Sequence, residues 1–214
     1  MAKILITSGP TRQYLDPVRY LTNASSGRMG AALAQAALDL GHQVVIVSGP
    51  VTVDYPAGAE VVAVITTDEL LSVCRKLFLE CDGVIGAAAP CDYQPVKVAT
   101  QKIAKTGQPL VLHLVETPDV VATLGAERLP HQWLVGFALE TEDARFRALT
   151  KMLKKSCDLM VLNGPEAMNA LTNRVEILDR SGTVISSVSG TKEEVAVGIL
   201  GEVQQRLIAP RSAN

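Results

Sequence analysis

The sequence predicts an α/β protein with a Rossmann-like, doubly wound and mainly parallel sheet that carries helices on both faces. Short apolar runs alternate with amphipathic runs, which is the pattern of strands that alternate with helices. Several amphipathic runs also carry helix start or stop signals. With 48% hydrophobic and 20% charged residues, a chain of 214 residues can bury a large core. We expect a single domain over residues 1–209 and a frayed tail over 210–214.

The apolar runs predict the strands, and the amphipathic runs predict the helices between them. Gly41 follows the first helical run as a C′ residue, and Thr66 with Glu69 forms a capping box at the start of the second. The predicted strands cover residues 3–7, 43–48, 60–65, 82–88, 133–139 and 158–162, and the predicted helices cover 27–40, 68–80, 118–128 and 142–156.

Two stretches depart from this alternation. Residues 90–117 lack a helical period and contain a strand-like run at 110–115, so we expect a flap or a dimerisation arm there. Residues 174–188 read as a β-hairpin. A last helix follows, with Thr191 and Glu194 as its capping box, and extends to about residue 208.

Composition excludes several classes of protein. Twenty basic and 22 acidic side chains give a net charge of −2, which argues against a nucleic-acid partner. Four cysteines without a CxxC pair, and three histidines, make a structural zinc site a poor expectation. No apolar run approaches the ~20 residues of a membrane span, and the first is too short for a signal peptide. We expect a cytoplasmic protein.

The loop after the first strand is the first candidate for a binding site, because doubly wound sheets bind ligands at the carboxyl ends of their strands. Ser25, Ser26 and Gly27 precede the first helix, where backbone N–H groups suit a phosphate. The alternative is that one serine only caps the helix. A nicotinamide enzyme would need a G-x-G-x-x-G turn and an acidic end to the second strand. Neither is present, which disfavours an NAD(P)-dependent oxidoreductase.

Small residues end the fourth strand, at Gly86, Ala87 and Ala88, with Asp92 beyond them. They could let a flat ring lie against the backbone while Asp92 accepts from ribose hydroxyls, or they could be ordinary core residues beside a turn. Cys91 has no histidine partner and is expected to be a buried or inert thiol.

Lysines occur in the flap and on the fourth helix. Lys151 and Lys155 are four residues apart and share a helix face, so an anion could lie between them. From spacing alone, a solvated face is the favoured interpretation.

Ordered motifs identify a family resemblance over residues 3–206. The chain resembles phosphopantothenate–cysteine ligase, also called phosphopantothenoylcysteine synthetase, of coenzyme A biosynthesis. This domain is often the second half of a bifunctional protein with a decarboxylase, and here we expect it alone. The motifs are Thr-Ser-Gly-Pro-Thr-Arg (7–12), Asp-Pro-Val-Arg-Tyr-Leu-Thr-Asn (16–23), Ser-Ser-Gly-Arg-Met-Gly (25–30), Ala-Ala-x-x-Asp-Tyr (88–93), Lys-Ile-x-Lys (102–105), Thr-Pro-Asp-Val (117–120) and Val-Gly-Phe-Ala-x-Glu-Thr (135–141).

The resemblance implies a reaction and its partners. The family condenses 4′-phosphopantothenate with cysteine, using CTP in bacterial members or ATP in the eukaryotic type, with Mg²⁺. An acyl-cytidylate and pyrophosphate form first, and the cysteine amine then displaces CMP. The resemblance also implies a homodimer and a possible separate decarboxylase partner. A non-catalytic nucleotide-binding subunit of the same pathway is the alternative.

The resemblance also assigns residues, although it assigns no metal ligands. Asn23 matches the asparagine that holds the acyl intermediate, Arg19 matches a catalytic arginine, and Lys102 matches the flap lysine that neutralises phosphate. Ser25, Ser26 and Gly27 remain the phosphate-binding candidates. The nucleotide-binding set is Gly86, Ala87, Ala88, Asp92, Lys102, Thr117, Pro118, Asp119, Val120, Phe137, Lys151 and Lys155.

The sequence departs from the family pattern at several points that bear on nucleotide choice. The usual Ala-Val-Ala-Asp-Tyr-Arg is replaced by Ala-Pro-Cys-Asp-Tyr-Gln (89–94), and residues 165–170 lack the expected glycine-phenylalanine pattern. Ala104 replaces a flap lysine, and Gly164 replaces the aspartate of an Asn-Asp pair.

Overall fold

Residues 1–140, 142–164 and 173–209 are described by the computed structural model. The predicted tail, 210–214, lies outside the described residues. The strands are β1 Lys3–Ser8, β2 Arg12–Tyr14, β3 Tyr20–Thr22, β4 Gln43–Ser48, β5 Glu60–Ala63, β6 Gly83–Gly86, β7 Tyr93–Pro95, β8 Leu114–Glu116, β9 Trp133–Leu139, β10 Leu159–Asn163, β11 Asn173–Asp179 and β12 Val184–Gly190. The helices are α1 Arg28–Asp39, α2 Thr67–Phe78, α3 Val120–Glu127, α4 Ala144–Lys154 and α5 Lys192–Val203, after which Gln204–Ile208 forms a π-helical turn.

One sheet of eight strands runs through the molecule in the order β5-β4-β1-β6-β9-β10-β11-β12. The strands from β5 to β10 pair in parallel, and β11 and β12 add an antiparallel hairpin at one edge. Counted along the chain, the parallel strands follow the doubly wound order 3-2-1-4-5-6. The predicted fold class is confirmed, and the predicted C-terminal hairpin is β11–β12.

Successive residues of β1 show why both faces of the sheet are covered. Ile6 packs in the cluster that contains Leu33 of α1 and Ile199 of α5, whereas Leu5 packs with Leu70 of α2 and Met152 of α4. Neighbouring side chains of a strand point to opposite faces, so an uninterrupted apolar run needs helices on both sides. Burying each such side chain stabilises the fold by about 1.5–3 kcal/mol.

Both predicted capping boxes are present. Thr66 accepts from the Glu69 N–H at the start of α2, and Thr191 accepts from the Glu194 N–H at the start of α5. The last helix differs from the prediction because its regular part ends at Val203 and a π-helical turn completes it.

The flap, residues 90–117, is the main irregular excursion. Its ends pair as the antiparallel strands β7 and β8. The predicted strand-like run at 110–115 is a strand only from Leu114, because β7 offers just the three residues 93–95 as partners. The hairpin of β2 and β3, which precedes α1, was not predicted.

Candidate active site

The carboxyl ends of β1 and β6 form the switch point of the sheet, where the strand order reverses and doubly wound proteins bind ligands. The segments that follow β1 and β6 remain hydrogen-bonded to each other beyond the ends of the two strands. Pro10 and Ala89 form an isolated parallel bridge, and the Ala89 N–H donates to Gly9 O at 2.9 Å. The predicted binding loops therefore lie side by side.

A cavity of about 450 Å³ opens beside the end of β6, and we call it the β6 cavity. Most of the predicted nucleotide-binding set lines it: Gly86, Ala88, Asp92, Thr117, Pro118, Asp119, Val120, Phe137 and Lys155. Ala87, Lys102 and Lys151 are not among the lining residues. Lining residues that the sequence reasoning did not assign to the nucleotide include Tyr93, Glu116 and Lys154.

Charged groups stand at one end of this cavity. Lys155 Nζ lies 3.0 Å from Asp119 Oδ2, and Asp119 also accepts from the Ala122 N–H as the N-cap of α3. Lys154 and Lys155 are at the carboxyl end of α4, where cations are stabilised by the helix dipole. This end of the β6 cavity can therefore receive an anion.

Lys151 has a different environment. Its Nζ lies 2.5 Å from Oε1 of the buried Glu140. Lys151 and Lys155 thus each have a carboxylate partner, and the structure places only Lys155 of the two at the β6 cavity. Lys154 also lines the β6 cavity. The sequence predicts that Lys154 lies near the end of a helix, but the residue spacing does not predict that it lines a cavity.

Hydrogen bonds hold the wall of the β6 cavity. Ala88 N–H donates to Thr7 Oγ1 at 3.2 Å, Cys91 N–H donates to Thr11 Oγ1 at 2.8 Å, and Thr117 Oγ1 donates to Cys91 O at 2.7 Å. Cys91 is buried, as predicted. A Cβ on Gly86 would lie 2.7 Å from Val121 Cγ2, so helix packing alone already requires a small residue there.

A second cavity, of about 370 Å³, lies before α1, and we call it the Arg12 cavity. Asn23 joins the two cavities, because it lines the second while its Nδ2 donates 2.9 Å to the carbonyl of Pro90, which lines the first. The residues that line the Arg12 cavity are Pro10, Arg12, Tyr20, Thr22, Asn23, Ala24, Ser25, Ser26 and Pro50.

The start of α1 faces this second cavity without a side-chain cap. Gly27 is the N-cap residue, with a φ of 76°, and within the described residues no side-chain hydrogen bond caps the helix. Neither Ser25 nor Ser26 caps the helix, so the alternative that one serine only caps it is wrong. The first N–H groups of α1 remain as donors for an anion.

Arg19 lies beneath the flap. Its Nε and Nη2 donate to Asp16 Oδ2 at 2.9 and 2.6 Å, and Nη2 also donates to Ile103 O at 2.5 Å. Lys102, the residue before Ile103, is exposed. Asp16 was not among the predicted site residues, although a carboxylate three residues before an arginine in a Pro-containing turn is a signal for such a pair.

Metal and membrane features are absent from the described part of the chain. No three His, Cys, Asp or Glu side chains stand close enough to hold a metal ion within the described ranges. Among the described helices, none is both long and apolar enough to cross a bilayer.

Comparisons with known proteins show to which family the chain belongs. A family model described as the DNA/pantothenate metabolism flavoprotein C-terminal domain matches residues 1–207. A cysteine/cysteine sulfinic acid decarboxylase from an unknown prokaryotic organism is 39% identical over 207 residues, which are 94% of this chain and 57% of that protein. The coenzyme A biosynthesis bifunctional protein CoaBC of Vibrio parahaemolyticus is 36% identical over 208 residues, 94% of this chain and 52% of that protein.

A solved structure is similar to this chain over nearly its whole length. The C-terminal domain of a coenzyme A biosynthesis bifunctional protein CoaBC superposes with a TM-score of 0.80 at 34% identity, covering 96% of this chain and 95% of that one. The chain spans a little over half the length of the curated relatives named above. The family resemblance read from the motifs is confirmed: the chain belongs to the family of DNA/pantothenate metabolism flavoprotein C-terminal domains.

Proposed function

We propose that this chain is a phosphopantothenate–cysteine ligase that forms an acyl-nucleotide intermediate. The observation that carries the proposal is the contact of Asn23 with Pro90, which joins the β6 cavity to the Arg12 cavity. A nucleotide in the first cavity and an acid in the second would meet at this contact. Membership of the family and the similarity to the CoaBC C-terminal domain support the same activity.

The reaction proceeds in two displacements. The carboxylate of 4′-phosphopantothenate attacks the α-phosphorus of CTP, which forms the acyl-cytidylate and releases pyrophosphate. The cysteine amine then attacks the acyl carbon, and CMP leaves. Neither step uses a protein nucleophile. Burial raises the pKa of the Cys74 and Cys157 thiols to about 12, so these cysteines stay protonated at neutral pH.

The protein acts by orientation and by placing donors around developing charge. In this proposal the base and ribose lie along residues 86–88, Asp92 accepts from the ribose, and Phe137 with residues 117–120 completes the pocket. Lys155 faces the triphosphate from the β6 cavity, and Lys102 approaches it from the flap. Lys151 binds Glu140 away from this cavity and takes no part in the proposal. The first turn of α1, with Ser25 and Ser26, binds the phosphate of the acid.

Magnesium fits this site as a companion of the nucleotide. The β6 cavity offers the carboxylates of Asp92, Glu116 and Asp119, and oxygen is the ligand that Mg²⁺ prefers. Asp119 is already engaged by Lys155 and by the first turn of α3. With Asp92 on the ribose, Glu116 would hold the ion together with phosphate oxygens, and the positive charge of the ion would offset the negative charge of the triphosphate.

A second copy of the chain is the proposed partner of the flap. Val96, Leu110 and Val111, all in the flap, are 64%, 57% and 74% exposed, which is unusual for apolar side chains of one excursion of the chain. We propose a cytoplasmic homodimer that buries them. A separate decarboxylase that supplies the next reaction of the pathway is a further proposed partner.

An assay with 4′-phosphopantothenate, cysteine and each of CTP, ATP, GTP and UTP tests the function. We expect amide formation with CTP, and pyrophosphate release that requires the acid. Nucleotide binding without turnover would instead indicate a non-catalytic subunit. Release of carbon dioxide from cysteine without any nucleotide would favour the activity named for the 39% identical relative.

A further inference from the structure

The turn at residues 15–19 holds the flap, although 87 positions separate Asp16 from Ile103. The Ile103 N–H donates to Asp16 Oδ2 at 3.1 Å, and Arg19 Nη2 donates to Ile103 O at 2.5 Å. Nearby, the Ala99 N–H donates to Leu15 O at 2.9 Å. Both backbone polar groups of Ile103 are therefore bound by one side-chain pair.

Asp16 is built to accept these donors. It is fully buried, its Oδ1 accepts from the N–H groups of Val18 and Arg19, and its Oδ2 accepts from the Arg19 guanidinium and from Ile103. Burial alone would raise the pKa of Asp16, but the hydrogen bonds outweigh it and hold the pKa well below its usual range. A buried carboxylate with this many donors has a fixed position.

The flap beyond Ile103 is exposed. Residues 104–112 face solvent, and Gln108 N–H bonds locally, to Thr106 Oγ1. The flap is bound again at His113, whose carbonyl accepts from the Val96 N–H at 3.0 Å. Lys102 directly precedes Ile103, so the position of its backbone is set by the attachment of Ile103.

We propose that Asp16 and Arg19 are positioning residues, which clamp Ile103 and so hold Lys102 where it meets the phosphates of the nucleotide. The inference rests on the proposed function, because that function gives Lys102 its role. It assigns Arg19 to the flap rather than to contact with the acyl intermediate. A residue that touched substrate directly would act independently of Lys102, and a residue that only stabilised the turn would leave the catalytic rate of the folded protein unchanged.

Limited proteolysis tests the clamp without reference to activity. Trypsin cuts after Lys102 and after Lys105, and the ratio of the two rates isolates the attachment of Ile103, since global unfolding would expose both bonds. In Arg19→Lys and Asp16→Asn we expect this ratio to rise about tenfold. The matched control is Arg75→Lys, because Arg75 binds both carboxylate oxygens of Glu127 through Nε and Nη2 on another part of the surface. An unchanged ratio in Arg19→Lys, which keeps the charge opposite Asp16, would overturn the clamp.

A double-mutant cycle tests the action through Lys102. In Arg19→Lys we expect the kcat of pyrophosphate release to fall about tenfold, with the KM for CTP within about twofold of the wild type. In the Lys102→Ala background, Arg19→Lys should cause no further loss. A second, equal loss in that background, or a wild-type kcat in Arg19→Lys, would overturn the proposal. A wild-type protein that releases no pyrophosphate, while the trypsin ratio still rises in Arg19→Lys, would instead show that the proposed function fails and the clamp stands.

Discussion

At the scale of the residue, the proposed reaction depends on Lys102, which would connect the flap to the nucleotide phosphates. Lys102→Ala should lower the rate of pyrophosphate release about 100-fold or more, because a charge that meets developing phosphate charge is lost. Its side chain is exposed, so the free energy of unfolding should change by less than about 0.5 kcal/mol. Lys97→Ala, at another exposed lysine of the flap, is the control. Wild-type pyrophosphate release in Lys102→Ala would remove Lys102 from the site.

A substitution at Asn23 should separate the two half-reactions of the proposed ligase. In Asn23→Asp, a carboxylate would face the carbonyl of Pro90 in place of the amide that now donates to it. We expect CTP binding within about threefold of the wild type but about 100-fold less amide, since the acyl-cytidylate is no longer held. Loss of the two hydrogen bonds that Nδ2 donates, to the carbonyls of Ala89 and Pro90, should cost about 1–3 kcal/mol of stability. Equal losses in both half-reactions with a strongly lowered melting temperature would contradict this role.

The site shows what sequence can and cannot specify at this scale. Residues at the ends of β1 and β6 were predicted because parallel strands bring their carboxyl ends to one edge of a sheet. The position of Lys154 at the cavity was not predicted. Helical spacing shows which residues share a face of the helix, but it does not show towards which part of the protein that face is directed. The burial of Ala148 and Met152 against the sheet decides the orientation of α4. The hydrogen bond between Asp16 and Ile103 also joins residues that are far apart in the sequence, so local sequence patterns do not predict it.

At the scale of the element, the close approach of α1 to β1 depends on Gly30. A Cβ at this position would lie 2.1 Å from Ser8 Oγ and 2.5 Å from Ser8 Cβ. Gly30→Ala should therefore displace α1 and lower the free energy of unfolding by about 1–3 kcal/mol or more. Gly201→Ala on α5 is a matched control, because nothing lies within 4 Å of its added Cβ. That variant should gain up to about 1 kcal/mol. Urea unfolding measures both, and equal stabilities would refute the packing argument.

The sequence predicted most elements but not the β2–β3 hairpin. The strands of the main sheet have continuous apolar runs, and the capping boxes mark two helix starts. β2 and β3 have only three residues each, and β3 is exposed at both of its ends, so neither shows a usable period. Their hairpin contains the turn that Asp16 anchors, and a lone turn of this kind is not distinguished from a loop by composition.

At the scale of the whole molecule, pH should act on stability through His42. Burial lowers the pKa of His42, whose Nδ1 accepts from the Ala2 N–H at 3.2 Å. The unfolded chain binds a proton more readily than the folded one, so stability should fall as the pH decreases through about 6.5, the ordinary value for histidine. Urea unfolding at pH 7.5 and 5.5 should show a loss that His42→Gln reduces. An identical loss in that variant would exclude His42 as the cause.

The exposed flap predicts self-association. Sedimentation of the protein at micromolar concentration should give a homodimer, because the apolar side chains around Val111 gain from burial. Val111→Lys should shift the equilibrium towards monomer, and Val197→Lys, at a position on α5 that is 61% exposed, should not. A wild-type monomer at every concentration tested would contradict the proposed dimer.

Trapping the intermediate tests the proposed ligase most directly. The protein is mixed with CTP labelled at the α-phosphate and with 4′-phosphopantothenate, but without cysteine, then quenched and separated. An acyl-cytidylate should accumulate to about one per active site together with pyrophosphate, and added cysteine should convert it to the amide and CMP. Intact CTP in the presence of the acid, or release of CDP and phosphate in place of CMP and pyrophosphate, would contradict the acyl-cytidylate route.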